Sequence, residues 1–355
     1  MKPRVALLSA FITPYRSGAE ACVEEVAARL QDRYDITIVT SRMRHDLPVH
    51  DRLASGVPVI RVGNGNKRDK WRFPFLGARA AIDLQPDLVH AVLESYAGLA
   101  LMRCRAFAPQ VPRILTCQST NTRFLLKAMH RAATRVTAIS SVLVHRAERF
   151  GVPADLIPNG IDLESFRVAR QEQSRVFGRL LYVGRLEPMK GVDTLLEALA
   201  MICRQHGGLH LRIVGDGSER SKLEHLARRL SITHSVEFLG ALPPSKIPEE
   251  MAQAEIFCGL SRSEALGNVF IEAQAAGCAV VATTVGGIPD IVHDGKTGIL
   301  VRPNDPLSVA HTIMRLLTDS ELRPTLAKAG MANAEAYDWS GVADRYAAVY
   351  DAVIA

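Results

Sequence analysis

Residues 179–200 read RLLYVGRLEPMKGVDTLLEALA. Leu180 to Val183 form a continuous apolar run, as a strand buried on both faces requires. Gly184 opens a turn that carries Arg185 and Lys190, and Val192, Leu195, Leu196 and Leu199 then recur at helical spacing. A strand, a glycine turn and a helix begin afresh here, halfway along the chain. The molecule therefore divides into two parts near Arg179.

The same alternation runs outward in both directions. LHLRIVGDG, VEFLGAL, EIFCGLS and AVVATTV read as strands on the carboxyl side; RVALLSAF, DITIVTS, VPVIRV, DLVHAV and RILTCQS do so on the amino side. Apolar strands separated by helical patterns predict parallel sheets covered on both faces. A chain of 355 residues also exceeds one comfortable core. Two doubly wound α/β domains are expected, at 1–163 and 179–338. The turn signal Pro158-Asn159-Gly160 and the polar stretch after it mark a linker at 164–178. Ligands of open α/β sheets bind at the carboxyl ends of the strands, so two such domains predict a cleft.

Composition narrows the classes. The opening MKPRVALLSAF is too short in its apolar run for a secretion signal and reads as the first strand of a cytoplasmic protein. No run reaches the roughly 18 apolar residues of a membrane span, so any membrane role is played from the surface. The six cysteines are scattered among apolar neighbours, which predicts buried free thiols. His206 and His210 flank Gly207 and Gly208, a loop pattern, and no metal site is expected. Net charge is +6, distributed as +10 over residues 1–170 and −4 over the remainder. The basic half should meet an acidic partner.

Three segments carry chemistry. Arg185 and Lys190 flank a strand-to-helix turn whose amides suit a diphosphate. Gly215-Asp216-Gly217 follows a strand as a βα turn but lacks the third glycine of a dinucleotide fingerprint, which argues against NAD or FAD. In SRSEALGNVFIEAQAAG, residues 261–277, Glu264 lies at a strand end and Glu272 about a turn inside the next helix. Gly267 and Asn268 lead into that helix start, which favours an anion. The two carboxylates then read as hydroxyl clamps on a sugar and a ribose with phosphates between them.

GRLEPMKG, the glutamate spacing of EALGNVFIE, and AAGCAVVATTVGGIPDIVHDGKTGILV closely resemble retaining GT-B glycosyltransferases of the GT4 class. SGAEACVEEVAARL, PDLVHAV and IPNGIDLESF follow the family's order in the first half. The resemblance implies a GT-B architecture, two Rossmann-like domains facing across a cleft, with the last helix, 339–355, packing back on the first. It implies that Arg185 and Lys190 hold the donor's diphosphate without a metal or other cofactor, that Glu264 lies beside the sugar hydroxyls, and that Glu272 binds the ribose. Leu266, Gly267, Asn268 and Val269 would present backbone amides. Gly18 would approach the diphosphate, and Gly215, Leu239 and Gly240 would line the base pocket.

The chain departs from the family at several positions. Ser17-Gly18 stands where two glycines are common, and Ala265-Leu266 alters the usual loop. Gln118, an acceptor-side candidate, replaces a histidine, and DLVHAV keeps His90 but has Val92 for a second histidine. His90 is a candidate active-site residue, set against a hydrogen-bonded strand-end histidine. A front-face route needs no protein nucleophile, because the leaving phosphate takes the acceptor's proton. The expected function is transfer of a hexose-type sugar from a UDP-, GDP- or ADP-linked donor to a glycan or lipid-linked hydroxyl. A GT-B-fold epimerase, a phosphorylase and an inactive nucleotide-binding subunit are the alternatives.

The basic half suggests where the acceptor lies. NGNKRDKWRFPFLGARA interleaves Lys67, Arg68, Lys70 and Arg72 with Trp71, Phe73 and Phe75, and Arg123, Lys127 and Arg131 recur every four residues. Cations beside apolar rings suit an anionic membrane; an ordinary solvated face is the alternative, and nucleic acid is not expected.

Overall fold

The computed structural model describes residues 1–121, 125–204 and 206–355. Two compact units are present, Met1–Gly160 with Trp339–Ala355 and Ile161–Asp338.

The first unit holds an eight-stranded sheet: β1 (Arg4–Leu8), β2 (Asp35–Ser41), β3 (His50–Arg52), β4 (Pro58–Val62), β5 (Leu88–Val92), β6 (Arg113–Cys117), β7 (Arg135–Ala138) and β8 (Ala154–Leu156). Their order is β3-β4-β2-β1-β5-β6-β7-β8, and every pairing is parallel except β3 with β4. The apolar runs enter the core as strands covered on both faces do: β5 and β6 are buried at all five positions. The helix Trp339–Ile354 completes this unit. Its Trp339, Val342, Tyr346 and Tyr350 pack into one cluster with Val23, Val26, Ile38 and Val92.

The second unit holds six parallel strands: β9 (Arg179–Val183), β10 (His210–Val214), β11 (Val236–Gly240), β12 (Ile256–Gly259), β13 (Ala279–Thr283) and β14 (Ile299–Val301). Their order is β11-β10-β9-β12-β13-β14. The order turns back on itself between β9 and β12, a topological switch point, so the loops leaving these two strands are where a ligand is expected. The helix Val192–Cys203 covers the sheet with Leu195, Leu196 and Leu199, all fully buried.

Two expectations differ from the structure. The stretch 164–178, expected as a linker, contains most of the helix Leu163–Glu172 and belongs to the second unit. Leu163, Phe166 and Ala169 form its buried stripe, and it packs against the helices Ile247–Gln253 and Asn268–Ala275. Phe73, expected beside Trp71 as a surface ring, is fully buried. Arg123 of the basic stretch lies outside the described residues. Among the described residues no helix is long and apolar enough to cross a membrane.

Candidate functional site

The loop after β9 begins at Gly184 and ends in a single 3₁₀ turn, Pro188–Lys190, before the helix Val192–Cys203. Gly191 joins the two with φ 66°, and a Cβ there would lie 2.1 Å from the carbonyl oxygen of Leu260. Only glycine lets this turn sit directly on the segment leaving β12. That contact brings Lys190 to Glu264: Nζ lies 2.5 Å from Oε2, and both side chains are mostly buried. The Ser261 hydroxyl donates to the same carboxylate oxygen at 3.3 Å.

Arg262 fastens the arrangement. Its backbone N–H donates to Met189 O at 2.7 Å, its Nη1 donates to Pro188 O, and its Nη2 lies 2.8 Å from both carboxylate oxygens of Asp193. Its Nε donates to Asn304 Oδ1 at 2.5 Å. The backbone of Glu264 is held from the far side, where a Cβ on Gly286 would approach its carbonyl oxygen to 1.8 Å.

Gly267 caps the helix Asn268–Ala275 with φ 91°, a conformation other residues rarely adopt. The amides of Asn268 and Val269 fall in the first turn, where the helix supplies no acceptor. Leu266 does more than frame a loop, since its side chain is in the core. Glu272 follows about one turn later. Burial pushes its carboxyl up to about 7, and the carboxylate makes no hydrogen bond or ion pair among the described residues. Arg185 is exposed, and its guanidinium likewise has no carboxylate or hydrogen-bond partner among them.

At the end of β10, Gly215 has φ 137°, and a Cβ would lie 1.9 Å from Gly184 O. Its amide donates to Gly240 O at 2.8 Å. The ends of β9, β10 and β11 therefore meet backbone to backbone, with Leu239 and Gly240 half-buried beside them. Lys190 with Glu264, and Gly215 with Gly240, are the pairs of expected site residues brought into direct contact.

The first unit treats its candidates differently. Gly18 opens the helix Gly18–Leu30, and Ser17 caps it: the Ser17 amide donates to Glu20 Oε2 at 2.9 Å and the Ser17 hydroxyl donates to the same oxygen. The departure at Ser17 thus supplies a cap. His90 is 1% exposed, with Nδ1 2.7 Å from Tyr350 Oη and Nε2 2.7 Å from Thr116 Oγ1. Burial pushes it down to about 3. Both ring nitrogens are thus hydrogen-bonded inside the core, the arrangement set against the active-site reading of this residue. The Gln118 amide is paired both ways with Asn159, at 2.8 and 2.9 Å, which fixes its orientation and leaves one N–H and one lone pair for a ligand.

Sequence reasoning passed over five functional-looking residues. Glu94 forms a buried ion pair with Arg146 and accepts from the Gln118 amide at 2.8 Å. Their separation along the chain left no local signal. Asn159 stands out in the sequence only as a turn residue, and Arg262 and Asp193, 69 residues apart, carry no motif that joins them. Glu94, Cys117 and His130 also lie within metal-ligand reach of one another. The Arg146 cation already occupies Glu94, the His130 Nδ1 is bonded to Leu126 O at 2.8 Å, and burial raises the Cys117 thiol well above its usual value. These groups read as a satisfied core set.

Residues 169–332 match the family described as Glycosyl transferases group 1, and residues 16–165 match Glycosyltransferase Family 4. A D-inositol 3-phosphate glycosyltransferase of Acidothermus cellulolyticus is 29% identical over 409 residues, covering 98% of this chain and 90% of that protein. One from Segniliparus rotundus is 34% identical over 211 residues, 56% of this chain and 47% of its own, so the match spans about half of that relative's length. Among solved structures, sucrose-phosphate synthase from Thermosynechococcus elongatus has a TM-score of 0.86 at 22% identity, covering 99% of this chain and 98% of its own. The Anabaena HepE structure in complex with UDP and glucose has a TM-score of 0.79 at 21% identity, covering 99% and 100%. These likenesses show the fold.

Proposed function

We propose, from the premise that the chain belongs to the group 1 glycosyl transferases, that it moves a hexose-type sugar from a nucleotide-diphospho-sugar to an acceptor hydroxyl with retention. The observation that carries this reading is the Lys190–Glu264 contact, which joins the loop that also carries the exposed Arg185 to the segment that leads into the helix Asn268–Ala275. A cation pair and helix amides suit a diphosphate, and a carboxylate held at 2.5 Å from one of those cations suits sugar hydroxyls. Glu272 takes the ribose, while Gly215, Leu239 and Gly240 line the base. The UDP and glucose in the Anabaena structure's description favour a nucleotide-linked donor.

In this mechanism the bond from the sugar C1 to the diphosphate oxygen breaks as the bond from C1 to the acceptor oxygen forms on the same face. The acceptor's proton passes to the departing phosphate oxygen. Arg185, Lys190 and the amides of Asn268 and Val269 stabilise the charge that grows on the diphosphate, so no metal is required. Glu264 orients the sugar, and no side chain attacks it.

The acceptor is a glycan or lipid-linked hydroxyl presented in the cytoplasm. A second acceptor class, a phosphorylated cyclitol, is suggested by the names of the relatives. Calorimetric titration with UDP-, GDP- and ADP-sugars in chelator, followed by transfer to each acceptor class and assignment of the product anomer, tests the reading. Failure of every donor to bind, or an anomer opposite to the donor's, refutes it. Epimerised sugar formed from donor alone would favour the epimerase instead.

A further inference from the structure

We propose that the face built by the helices Asp69–Asp83 and Tyr96–Phe107 of the first unit docks on an anionic lipid bilayer. The inference goes beyond the transfer reaction and does not depend on it.

Three large rings stand out from this face: Trp71 is 69% exposed, Phe75 53% and Phe107 45%. Phe73, between the first two, turns inward, so Trp71 and Phe75 share one exposed edge a helical turn apart. The rings are organised. Trp71 meets Tyr96 edge to face at 5.2 Å, and Phe75 meets Phe107 at 6.2 Å. Around them lie Lys67, Arg68, Lys70, Arg72 and Arg103, none of which pairs with a carboxylate among the described residues.

Acidic groups are nearly absent. The helix Tyr96–Phe107 contains none. Asp69 is fully buried, accepting from the amides of Gly65 and Asn66, and Asp83 is matched by Arg79 at 3.2 Å. The face is therefore positive as well as aromatic.

Those two properties select the occupant. A second copy of the chain would bring like charges together. Nucleic acid would need free ring faces for stacking, yet Arg103 lies over Phe75 at 5.5 Å and Lys70 over Trp71 at 5.9 Å. A bilayer accepts aromatic rings at headgroup level and draws cations to its anionic lipids, each charge strengthening binding about fivefold. Tyr96 continues through Phe11, at 6.4 Å, to Tyr15, so the face adjoins the loop that leads to Gly18.

The chain has two tryptophans, and Trp339 is 3% exposed, so a lipid-dependent change in emission reports on Trp71. The full chain is mixed with vesicles of phosphatidylcholine alone, or of phosphatidylcholine and phosphatidylglycerol in equal parts, and then sedimented. Wild type should pellet only with the anionic vesicles, with a blue shift of Trp71 emission that is reversed by high salt. Joint Lys67→Gln, Arg68→Gln and Arg72→Gln should weaken binding about a hundredfold. Trp71→Ala should weaken it and abolish the shift. Both variants should keep the thermal midpoint and transfer to a water-soluble acceptor. The proposal is overturned if wild type stays in the supernatant, if both variants bind like wild type, or if Trp71→Ala instead dissolves a dimer formed without lipid. Binding by a chain that lacks transferase activity would refute the proposed function and leave this inference standing.

Discussion

Arg262 holds Asp193 through one guanidinium nitrogen placed 2.8 Å from each carboxylate oxygen, and through the same side chain it holds the turn that carries Lys190. Arg262 touches neither Lys190 nor Glu264, yet it joins the loops that bring them to 2.5 Å. Arg262→Ala should therefore reduce kcat by roughly tenfold to a hundredfold with a smaller change in donor KM. Arg262→Lys should restore little, because an ammonium cannot reach Asp193, Pro188 and Asn304 together. A change in thermal midpoint with kcat intact would assign Arg262 to stability alone.

Lys190→Ala removes a cation from the proposed diphosphate site and leaves Glu264 with only the Ser261 hydroxyl. The expected loss in kcat/KM is about a hundredfold to a thousandfold, as for removal of one preorganised charge donor. Lys190→Arg should recover part of it. Full activity in the alanine variant, measured by nucleotide release under saturating acceptor, would remove Lys190 from the mechanism.

Glu272 gives the protein a pH signature. Its carboxyl is raised from 4.5 to about 7, so the folded state holds a proton that the unfolded chain releases. Stability from this group is complete below 4.5 and is lost as pH rises towards 7. Glu272→Gln should flatten that part of the pH–stability curve and, without ligand, raise stability at pH 8 by about 1–2 kcal/mol. Donor affinity should fall in the same variant. An unchanged pH–stability curve would show that the carboxyl titrates normally.

His90→Gln should leave the pH dependence of kcat unchanged and lower stability by about 1–3 kcal/mol, the cost of disturbing buried hydrogen bonds to Thr116 and Tyr350. Because burial pushes the imidazole from 6.5 down to about 3, the wild type's contribution from this group is complete above 6.5 and lost as pH falls towards 3. A kinetic pKa that vanished in the variant would return His90 to the active site.

The strands, and Lys190 and Glu264 as separate candidates, were readable because each rests on local pattern: apolar runs, and charged residues at strand ends beside obligatory glycines. That the two meet was not readable, since 74 residues separate them. The helix Leu163–Glu172 escaped because its buried stripe of Leu163, Phe166 and Ala169 is short and interrupted by charges, and its fourth apolar residue, Val168, faces solvent. Strands β3, β7, β8 and β14 span only three or four residues, too short for periodicity. Contacts such as Glu94 with Arg146, Gln118 with Asn159 and Arg262 with Asp193 join residues far apart in sequence. No local composition foretells them, because tertiary folding decides which distant charges meet. The setting of His90 was hidden for a related reason: its partner Tyr350 lies in the last helix.

That last helix also sets an order of assembly. The first unit takes its helix Trp339–Ile354 from the far end of the chain, after the whole second unit. On the ribosome, the part of the molecule made first is therefore finished last. Until the final helix is translated, the surface awaiting Trp339, Tyr346 and Tyr350 stays open, and His90 Nδ1 lacks its partner. A chain arrested before Trp339 should expose that surface to protease and to chaperones while its second unit is already closed.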